Sequence, residues 1–321
     1  MLSHSTSAAG SQIPTPLQLG HRQNGEEGRF SVYVHSAPGF VLDRTTTGSP
    51  YFYGRQLARA VKVDPLTDYL VSVIAESRVA WGEPTMVQAE KMLFAAALED
   101  PANQRFVLLS DSCVPLYNFS YTYTYLMGSP KSIVDSFTDK TEKRYNPNMS
   151  PVIRKDKWRK GSQMVVTNAL LGQKLVNARR LGFVFRRKQI LKGAAQEEHD
   201  CIPDEHYVQT LFSIKGLEDE LERRTLTYTS WNQSTLDPKD KMTWHPTTFE
   251  YDAASPEQIN AIKSIDHVNY EVEHRTEWCQ SNGTSVPCFL FARKFSYGAA
   301  MHLLEDGAFG LLKSAQLLVN F

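Results

Sequence analysis

The chain has 321 residues, of which 41% are hydrophobic and 22% charged, a composition typical of soluble globular proteins rather than disordered or fibrous ones. Lys and Arg together number 35, as do Asp and Glu, so no overall basic field exists to attract nucleic acid. No window approaches the run of about 18 apolar residues that a spanning helix requires, and no secretory signal is visible, so we expect the chain as written to be soluble.

The first part of the chain predicts a leader followed by a strand. Residues 1–29 are rich in Ser, Gly, Gln and Pro and lack an apolar period, which indicates a flexible leader without catalytic residues. From Phe30 to His35 apolar and polar side chains alternate. This alternation predicts a strand with His35 at its end.

The next segments indicate an α/β layer structure. Pro84 opens a helical pattern that Asp100 and Pro101 end. The uninterrupted apolar run 106–109 is typical of a strand that is buried on both faces. A strand, a helix and a buried strand in succession predict helices packed on a central sheet.

The rest of the chain alternates between irregular and periodic segments. Residues 117–158 are rich in aromatic residues, Pro and Asn, and they predict a long irregular excursion on the surface. We predict a strand at 163–167 and a helix at 169–181. Pro203 opens a further helix, and a last strand covers residues 289–291.

The turn after the apolar run 106–109 carries Asp111 among small polar residues. Such turns present ligand sites in α/β sheets, but an Asp there can equally cap the turn. Because Ser112 and Cys113 follow Asp111, the sequence has no D-x-D pair to hold a divalent metal against a diphosphate. The sequence also contains no H-E-x-x-H, C-x-x-C or P-loop motif, which leaves metal hydrolases, zinc fingers and P-loop proteins unsupported.

Glu205 is the candidate general base. A carboxylate on the first turn of a helix has a fixed direction and can accept a proton from a hydroxyl group. An acid at such a position also interacts favourably with the helix dipole, and Pro-Asp-Glu is a common helix opening. The local pattern alone therefore supports a catalytic and a structural interpretation.

Three other features are open to a ligand-binding or a structural interpretation. Arg293 and Lys294 follow an apolar strand, where they can neutralise a diphosphate or simply lie in solvent. The segment 158–163 is either a ligand loop or a polar lead into a strand. Trp231 and Trp244 are either platforms for sugar faces or core residues.

Cysteine and asparagine positions bear on the cellular compartment. Cys279 and Cys288 bracket a polar, turn-rich segment that is short enough for a disulfide to close, which favours an oxidising lumen. N-x-S/T sequons permit N-glycosylation, and we select Asn118 and Asn282 as the candidate sites among the sequons of this chain.

An ordered series of motifs runs along the chain: Y-V-H (33–35), F-Y-G-R-Q (52–56), W-G-E (81–83), R-F-V-L-L-S-D-S-C-V-P-L (105–116), R-Y-N-P-N-M (144–149), W-R-K-G-S-Q (158–163), P-D-E-H-Y (203–207), H-P-T-T-F (245–249) and C-F-L-F-A-R-K-F (288–295). Taken together in this order, the motifs resemble those of the plant-type core-2/I-branching β-1,6-N-acetylglucosaminyltransferase-like proteins, which belong to or neighbour glycosyltransferase family 14. The resemblance covers about residues 30–297, and an ordered series of this extent is far more specific than any one motif.

The resemblance implies a GT-A-like α/β fold with a central mixed sheet, formed here by one domain over residues 30–321. It also implies a UDP-sugar donor, a glycan acceptor and a Golgi-lumenal location with membrane association, although this chain shows no anchor. The characterised animal enzymes work without a metal, which fits the missing D-x-D. We therefore expect no cofactor and no metal.

The resemblance also assigns residues to a single inverting displacement. Glu205 lies in the P-D-E motif that holds the catalytic base, and Lys294 matches a basic residue that contacts the donor diphosphate, helped by Arg293. We place His35 and Asp111 on the donor side. Tyr228 or Trp231 is the expected acceptor platform. The expected sugar is N-acetylglucosamine or that of a related UDP-sugar.

Three departures from the family pattern support a second hypothesis. Thr247 stands where the animal enzymes carry an Arg. Relatives have an anchor, a stem and a first strand before Y-V-H, where this chain offers only residues 1–29, so we expect that strand to be missing. Residues 57–80 form an expected insertion. The alternative is a truncated or degenerate, non-catalytic member that binds a glycan or a partner protein.

Overall fold

The structure, a computed structural model, describes residues 2–4, 29–36, 40–46, 53, 79–139, 144–178, 181–182, 184–185, 201–231, 246–281 and 283–305. The helices are α1 Pro84–Leu98, α2 Phe119–Gly128, α3 Ala169–Asn177, α4 Tyr207–Ile214, α5 Pro256–Lys263 and α6 Tyr297–Glu305. The strands are β1 Leu2–His4, β2 Tyr33–His35, β3 Arg105–Ser110, β4 Val114–Pro115, β5 Ser132–Ile133, β6 Val166–Asn168, β7 Leu221–Glu222, β8 Thr227–Thr229, β9 His267–Tyr270, β10 Arg275–Trp278, β11 Gln280–Ser281, β12 Thr284–Ser285 and β13 Phe291–Arg293.

The central sheet is mixed and has the strand order β2-β1-β3-β6-β5-β7. β1 pairs in parallel with both β2 and β3, β6 runs antiparallel to β3 and β5, and β7 is parallel to β5. A second sheet places β13 between β4, which is antiparallel to it, and β8, which is parallel. The α/β architecture with a central mixed sheet is confirmed.

The core lies on both faces of β3. Phe106 and Leu108 pack into a cluster with residues of α1, α3 and α4, whereas Val107 and Leu109 face a second cluster that includes Leu290. These four central residues of β3 are each at most 7% exposed, as predicted for a strand covered on both sides. A third cluster surrounds the second sheet.

Helix α1 shows why the sequence pattern was sufficient for this element. Pro84 occupies the first turn, where its missing N–H costs nothing, and most of the apolar side chains of the helix are buried. α4 likewise follows the Pro203 turn, as predicted, with Tyr207, Val208, Leu211 and Phe212 buried. The strand predicted at 163–167 is shifted, since β6 covers Val166–Asn168.

The prediction of a missing first strand, with residues 1–29 wholly a leader, was wrong for residues 2–4. These residues form β1 in the centre of the parallel part of the sheet. A three-residue strand is too short to display an apolar alternation, and its backbone is satisfied by pairing with neighbours on both sides. Its carboxyl end aligns with those of β2 and β3.

The prediction of an irregular surface excursion over 117–158 was also wrong. The segment contains α2 and β5, and it contributes Val134, Ile153 and Trp158 to the main core, each at most 1% exposed. α2 begins at Asn118, whose side chain accepts a 2.9 Å hydrogen bond from the Tyr121 amide. Its aromatic residues obscured the helical period because they lie on several faces.

The predicted insertion, residues 57–80, lies outside the described residues except for residues 79 and 80. None of the helices in the described part of the chain combines the length and the apolarity required to cross a membrane.

Candidate active site

Glu205 lies at the end of a one-turn 3₁₀ helix, Pro203–Glu205, immediately before α4. The residue before this turn, Ile202, has a φ of 35°, a left-handed conformation that is rare for a β-branched residue. Such strain of about 1–3 kcal/mol persists only where surrounding contacts impose it. Asp204 then points inward and is 1% exposed, whereas the Glu205 side chain retains 19% exposure.

Two cations hold the Glu205 carboxylate. Arg144 Nη1 lies 3.2 Å from Glu205 Oε2, and Lys160 Nζ lies 3.5 Å from the same oxygen. No described residue donates a hydrogen bond to Oε1. One carboxylate oxygen is therefore anchored, whereas the other accepts no hydrogen bond from a described residue.

The loop 158–163 supplies the main-chain support for this turn. The Gly161 amide donates a 3.0 Å hydrogen bond to the Glu205 carbonyl oxygen, and Lys160 pairs with Phe137 through two main-chain hydrogen bonds. The carboxylate of buried Asp135 accepts bonds from the Ser162 amide at 2.9 Å and from the Tyr270 hydroxyl at 2.6 Å. The segment 158–163 therefore supports the Glu205 turn through its main chain.

The inner side of the turn is acidic. Asp204 Oδ2 accepts a hydrogen bond from Gln163, and Glu90 of α1, 4% exposed, interacts with Asp204 electrostatically. Burial, with the neighbouring charge of Glu205, raises the pKa of Asp204 to about 7, although nearby main-chain amides act in the opposite direction. Burial and the charge of Asp204 raise the pKa of Glu90 well above its usual range.

A second cluster forms where β3 and β13 end. Asp111 follows β3, Arg293 ends β13 and Lys294 follows it, and the Phe295 amide donates to the Ser112 carbonyl at 3.0 Å. Burial and the charge of Arg293 lower the pKa of the Lys294 ammonium, and the charge of Asp111 opposes that shift. Within the described residues, no carboxylate lies within ion-pair distance of Arg293 or Lys294.

His35 lies on the same edge of the sheet. The strand register aligns it with His4 and, across β1, with Ser110, the last residue of β3. Burial lowers the pKa of His35, which favours the neutral imidazole. His35 and Asp111 therefore both lie at the carboxyl edge where α/β sheets bind ligands.

The expected acceptor residues follow β8, next to the cationic cluster. Thr229 pairs with Arg293 in the register of the second sheet, and Trp231, 53% exposed, lies two residues beyond. Tyr228 packs edge-on against Phe289, with ring centroids 5.3 Å apart. Trp231 therefore presents an open ring, whereas the ring of Tyr228 is partly used in packing.

Thr247 lies beside Lys294. Its amide donates a 2.8 Å hydrogen bond to the Ser230 carbonyl, and its own carbonyl lies 3.5 Å from the Lys294 amide. The Phe249 amide donates to the Lys294 carbonyl at 2.7 Å. The H-P-T-T-F segment is thus bound to both the cationic cluster and the Trp231 segment; its first residue, His245, and Trp244 lie outside the described residues.

Comparison with known proteins identifies the family of the chain. A family model described as "Branch: Core-2/I-Branching enzyme" matches residues 68–263. The chain is also 46% identical over 294 residues to "Glycosyltransferase BC10" from Oryza sativa subsp. japonica, an alignment that covers 87% of this chain and 70% of that protein. The chain belongs to the Core-2/I-branching enzyme family. It is a glycosyltransferase, and the resemblance stated above is confirmed.

The candidate residues of this Core-2/I-branching enzyme fall into two groups. Asp111, Arg293 and Lys294 lie together at the sheet edge, with Thr247 beside them. Glu205 lies on a separate turn with Arg144 and Lys160, and no ion pair joins the two groups among the described residues. No cluster of three or more potential metal-ligating His, Cys, Asp or Glu side chains occurs in the described part of the chain.

Several residues around Glu205 were not predicted from the sequence. Arg144 and Lys160 both lie within the quoted motifs, so their presence was visible but their convergence on one carboxylate was not. Asp135 and Tyr270 gave no local signal, because they are 135 residues apart and meet only through the fold.

The predicted loop disulfide is present in this family member. Cys279 and Cys288 are joined, and both are 1% exposed. Cys113 is a free thiol. Asn118 is exposed at the start of α2, and its Oδ1 serves as the helix cap, while Asn282 lies outside the described residues.

Proposed function

We propose that the protein transfers N-acetylglucosamine, or the sugar of a related UDP-sugar, to a hydroxyl group of an acceptor glycan with inversion and without a metal. The observation that carries this proposal is the Glu205 carboxylate, which is anchored through Oε2 by Arg144 and Lys160 and accepts no hydrogen bond at Oε1 from a described residue. A general base requires such a fixed and accessible oxygen.

In the proposed reaction, Glu205 takes the proton of the acceptor hydroxyl. At the same time, the oxygen of that hydroxyl group attacks the anomeric carbon of the donor sugar. The bond between that carbon and the diphosphate oxygen breaks on the opposite face, so the product has inverted configuration. UDP departs with the bonding electron pair. A single displacement of this kind needs one base, and no second catalytic carboxylate is required.

Lys294 and Arg293 are proposed to bind the donor diphosphate and to stabilise the charge that develops on departing UDP. In support, the two cations are adjacent at the end of β13 and lack an ion-pair partner among the described residues. Two positive charges can supply the neutralisation that a divalent ion provides in other glycosyltransferases. His35 and Asp111 complete the proposed donor side.

Trp231 is the proposed acceptor platform, with Tyr228 in a supporting role. A large exposed aromatic ring can pack against the apolar face of a sugar. The Trp231 ring is 53% exposed and lies two residues beyond the β8 residue that pairs with Arg293. We therefore expect Trp231→Ala to raise the KM for the acceptor more than the KM for the donor.

UDP binding by calorimetry in EDTA tests the donor site. We expect the wild type and Glu205→Gln to bind UDP, and Lys294→Ala to lose binding, because Glu205 acts on the acceptor and Lys294 on the diphosphate. Lys215→Ala, which removes an exposed Lys at the end of α4, is the charge-matched control. A folded wild type that binds no UDP would favour the alternative of a degenerate, non-catalytic member.

The proposed location is the Golgi lumen, with membrane association. The Cys279–Cys288 disulfide and the exposed Asn118 sequon support an oxidising, glycosylating compartment. Mass spectrometry of the protein from its native tissue tests this through glycan occupancy at Asn118 and Asn282. Unmodified asparagines together with reduced Cys279 and Cys288 would contradict the location.

A further inference from the structure

His206 directly follows Glu205 in the chain and is fully buried, yet the proposed reaction gives it no role. We infer that His206 is a positioning residue, whose imidazole closes the turn that carries Glu205 and thereby fixes the direction of the Glu205 side chain. The inference deepens the proposed function and rests on it for the role of Glu205 as the base.

The main-chain carbonyl of Ile202 joins the His206 ring to the main chain of Glu205. His206 Nδ1 lies 3.0 Å from this carbonyl oxygen, and the Glu205 amide donates to the same oxygen at 3.1 Å. Because a carbonyl oxygen can only accept, Nδ1 carries the proton of the first hydrogen bond. One acceptor therefore binds both the ring of His206 and the amide of Glu205.

This acceptor belongs to the strained residue of the turn. Ile202 has a φ of 35°, and a β-branched residue keeps such a conformation only where its surroundings impose it. The hydrogen bond from His206 to the Ile202 carbonyl is a contact of this kind. Its loss should allow Ile202 to relax and the following turn, Pro203–Glu205, to move with it.

Two buried groups hold the imidazole in this orientation. Nε2 lies 3.6 Å from Asp139 Oδ2, which is an ion-pair distance but longer than an ordinary hydrogen bond. The Trp158 indole stacks on the imidazole, with ring centroids 4.4 Å apart and an angle of 18° between the planes, and its Nε1 donates to Asp139 Oδ2 at 3.3 Å. All three side chains are at most 1% exposed, so the ring has little freedom to turn away from Ile202.

Trp158 also connects His206 to the loop on the other side of Glu205. It is the first residue of the segment 158–163, in which Lys160 Nζ lies 3.5 Å from Glu205 Oε2. The stack of Trp158 on His206 therefore fixes this loop and the turn relative to each other. Lys160 holds the end of the Glu205 side chain, and His206 holds the main chain from which that side chain departs.

Three substitutions of His206 separate the contributions of its two ring nitrogens. His206→Asn retains an N–H donor near the position of Nδ1, whereas His206→Gln places its amide near the position of Nε2, towards Asp139. His206→Phe retains a ring for the stack with Trp158 but has neither nitrogen. If the hydrogen bond to Ile202 positions Glu205, His206→Asn should resemble the wild type, and His206→Gln should resemble His206→Phe.

His267→Phe is the matched control. His267 also contacts an aspartate and a tryptophan, since its Nδ1 lies 2.6 Å from Asp266 Oδ1 and its ring lies 5.0 Å from that of Trp278. It is in β9, however, and its side chain is 38% exposed. The control should therefore match the wild type in both measurements described below.

Amide hydrogen exchange measures the state of the turn without any substrate. We expect the Glu205 amide to exchange about tenfold faster in His206→Phe and His206→Gln than in the wild type, and to remain slow in His206→Asn. The Leu290 amide, which donates to Leu226 in the second sheet, reports on the whole fold and should change by less than about twofold. Equal acceleration of both amides, or unchanged exchange of Glu205 in His206→Phe, would overturn the inference.

UDP release from UDP-N-acetylglucosamine, with water as the acceptor, connects the turn to the reaction. We expect kcat to fall at least about tenfold in His206→Phe and His206→Gln, while the Kd for UDP stays within about twofold of the wild type, because Glu205 acts on the acceptor. His206→Asn should recover most of kcat. Equal losses of kcat in His206→Asn and His206→Gln, or a parallel loss of UDP binding, would overturn the positioning role. A wild type that releases no UDP contradicts the proposed function, while the exchange of the Glu205 amide still decides whether His206 holds the turn.

Discussion

The Gly161 amide donates a 3.0 Å hydrogen bond to the main-chain carbonyl of Glu205. This contact joins the W-R-K-G-S-Q loop to the P-D-E turn, two motifs that are more than 40 residues apart in the chain. Gly161 can approach because it has no side chain: its α-carbon faces the main-chain carbonyl of Asp135. Asp135 in turn accepts the Ser162 amide, so one short loop links the core to Glu205.

Gly161→Ala should therefore disturb the site. The added methyl group would overlap the Asp135 carbonyl oxygen, lie 2.6 Å from its carbon and lie 3.0 Å from Gln209 Nε2. Since main chain cannot yield as a flexible side chain does, we expect a loss of about 1–3 kcal/mol in unfolding free energy and a large fall in kcat. Thermal unfolding and UDP-sugar turnover measure the two effects.

Gly128→Ala is the matched control, because no atom lies within 4 Å of a methyl group at that position. It lies at the end of α2, where Ala should be neutral or slightly stabilising. If Gly161→Ala had the stability and kcat of Gly128→Ala, the loop would not support Glu205 as described.

Tyr270→Phe should weaken the same loop from the opposite side. The substitution removes the 2.6 Å bond from the Tyr270 hydroxyl to Asp135, which leaves a buried carboxylate with fewer donors. We expect a loss of about 1–3 kcal/mol. Tyr297→Phe, at an exposed position, is the control.

The pH dependence of the Tyr270→Phe effect has a defined sign. Burial raises the pKa of Asp135, and the hydrogen bond from Tyr270 opposes that shift, so the variant should raise it further. An acid whose pKa is raised in the folded state loses stability as the pH rises through the interval between the unfolded and folded values. The difference in Tm between variant and wild type should therefore widen from acidic to neutral pH, and a constant difference would contradict the assignment.

The sequence was sufficient for elements whose signal is local. Pro84 and the apolar spacing after it predicted α1, and the run 106–109 predicted the strand buried on both faces. β1 was missed because three residues in the centre of a sheet are defined by backbone pairing rather than by side-chain pattern. α2 was missed because its aromatic residues do not form one apolar stripe.

The candidate site likewise combines residues that a local motif predicted with residues that only the fold brings together. Glu205 and Lys294 were predicted because motifs carry them, but no local pattern could predict that Arg144 and Lys160 meet at one oxygen of Glu205. The inner acids show the same limit. Glu90 looks like an ordinary polar position of α1 until the packing of the Pro203–Glu205 turn against that helix buries it beside Asp204.

The disulfide should contribute to stability near the second sheet. Cys279 and Cys288 are nine residues apart and belong to the cluster that contains Phe289 and Phe295. Closing a loop of this length stabilises a fold by about 2–3 kcal/mol in the chain-entropy model. A Cys279→Ala/Cys288→Ala variant should therefore unfold at a lower Tm, and dithiothreitol should lower the Tm of the wild type but not of the variant. Equal Tm values for wild type and variant without reductant would contradict a stabilising bridge.

Thr247→Arg should strengthen UDP binding. Thr247 adjoins the Lys294 main chain, so a guanidinium at this position would add a third positive charge beside Lys294 and Arg293. A charge-assisted contact with a phosphate is strong enough to lower the Kd for UDP by about tenfold.

Thr248→Arg adds the same charge at the neighbouring, exposed position and controls for the change in net charge. Calorimetry in low and high salt should show a gain for Thr247→Arg well above that for Thr248→Arg. Equal gains would mean that the cluster at Lys294 does not bind the diphosphate specifically.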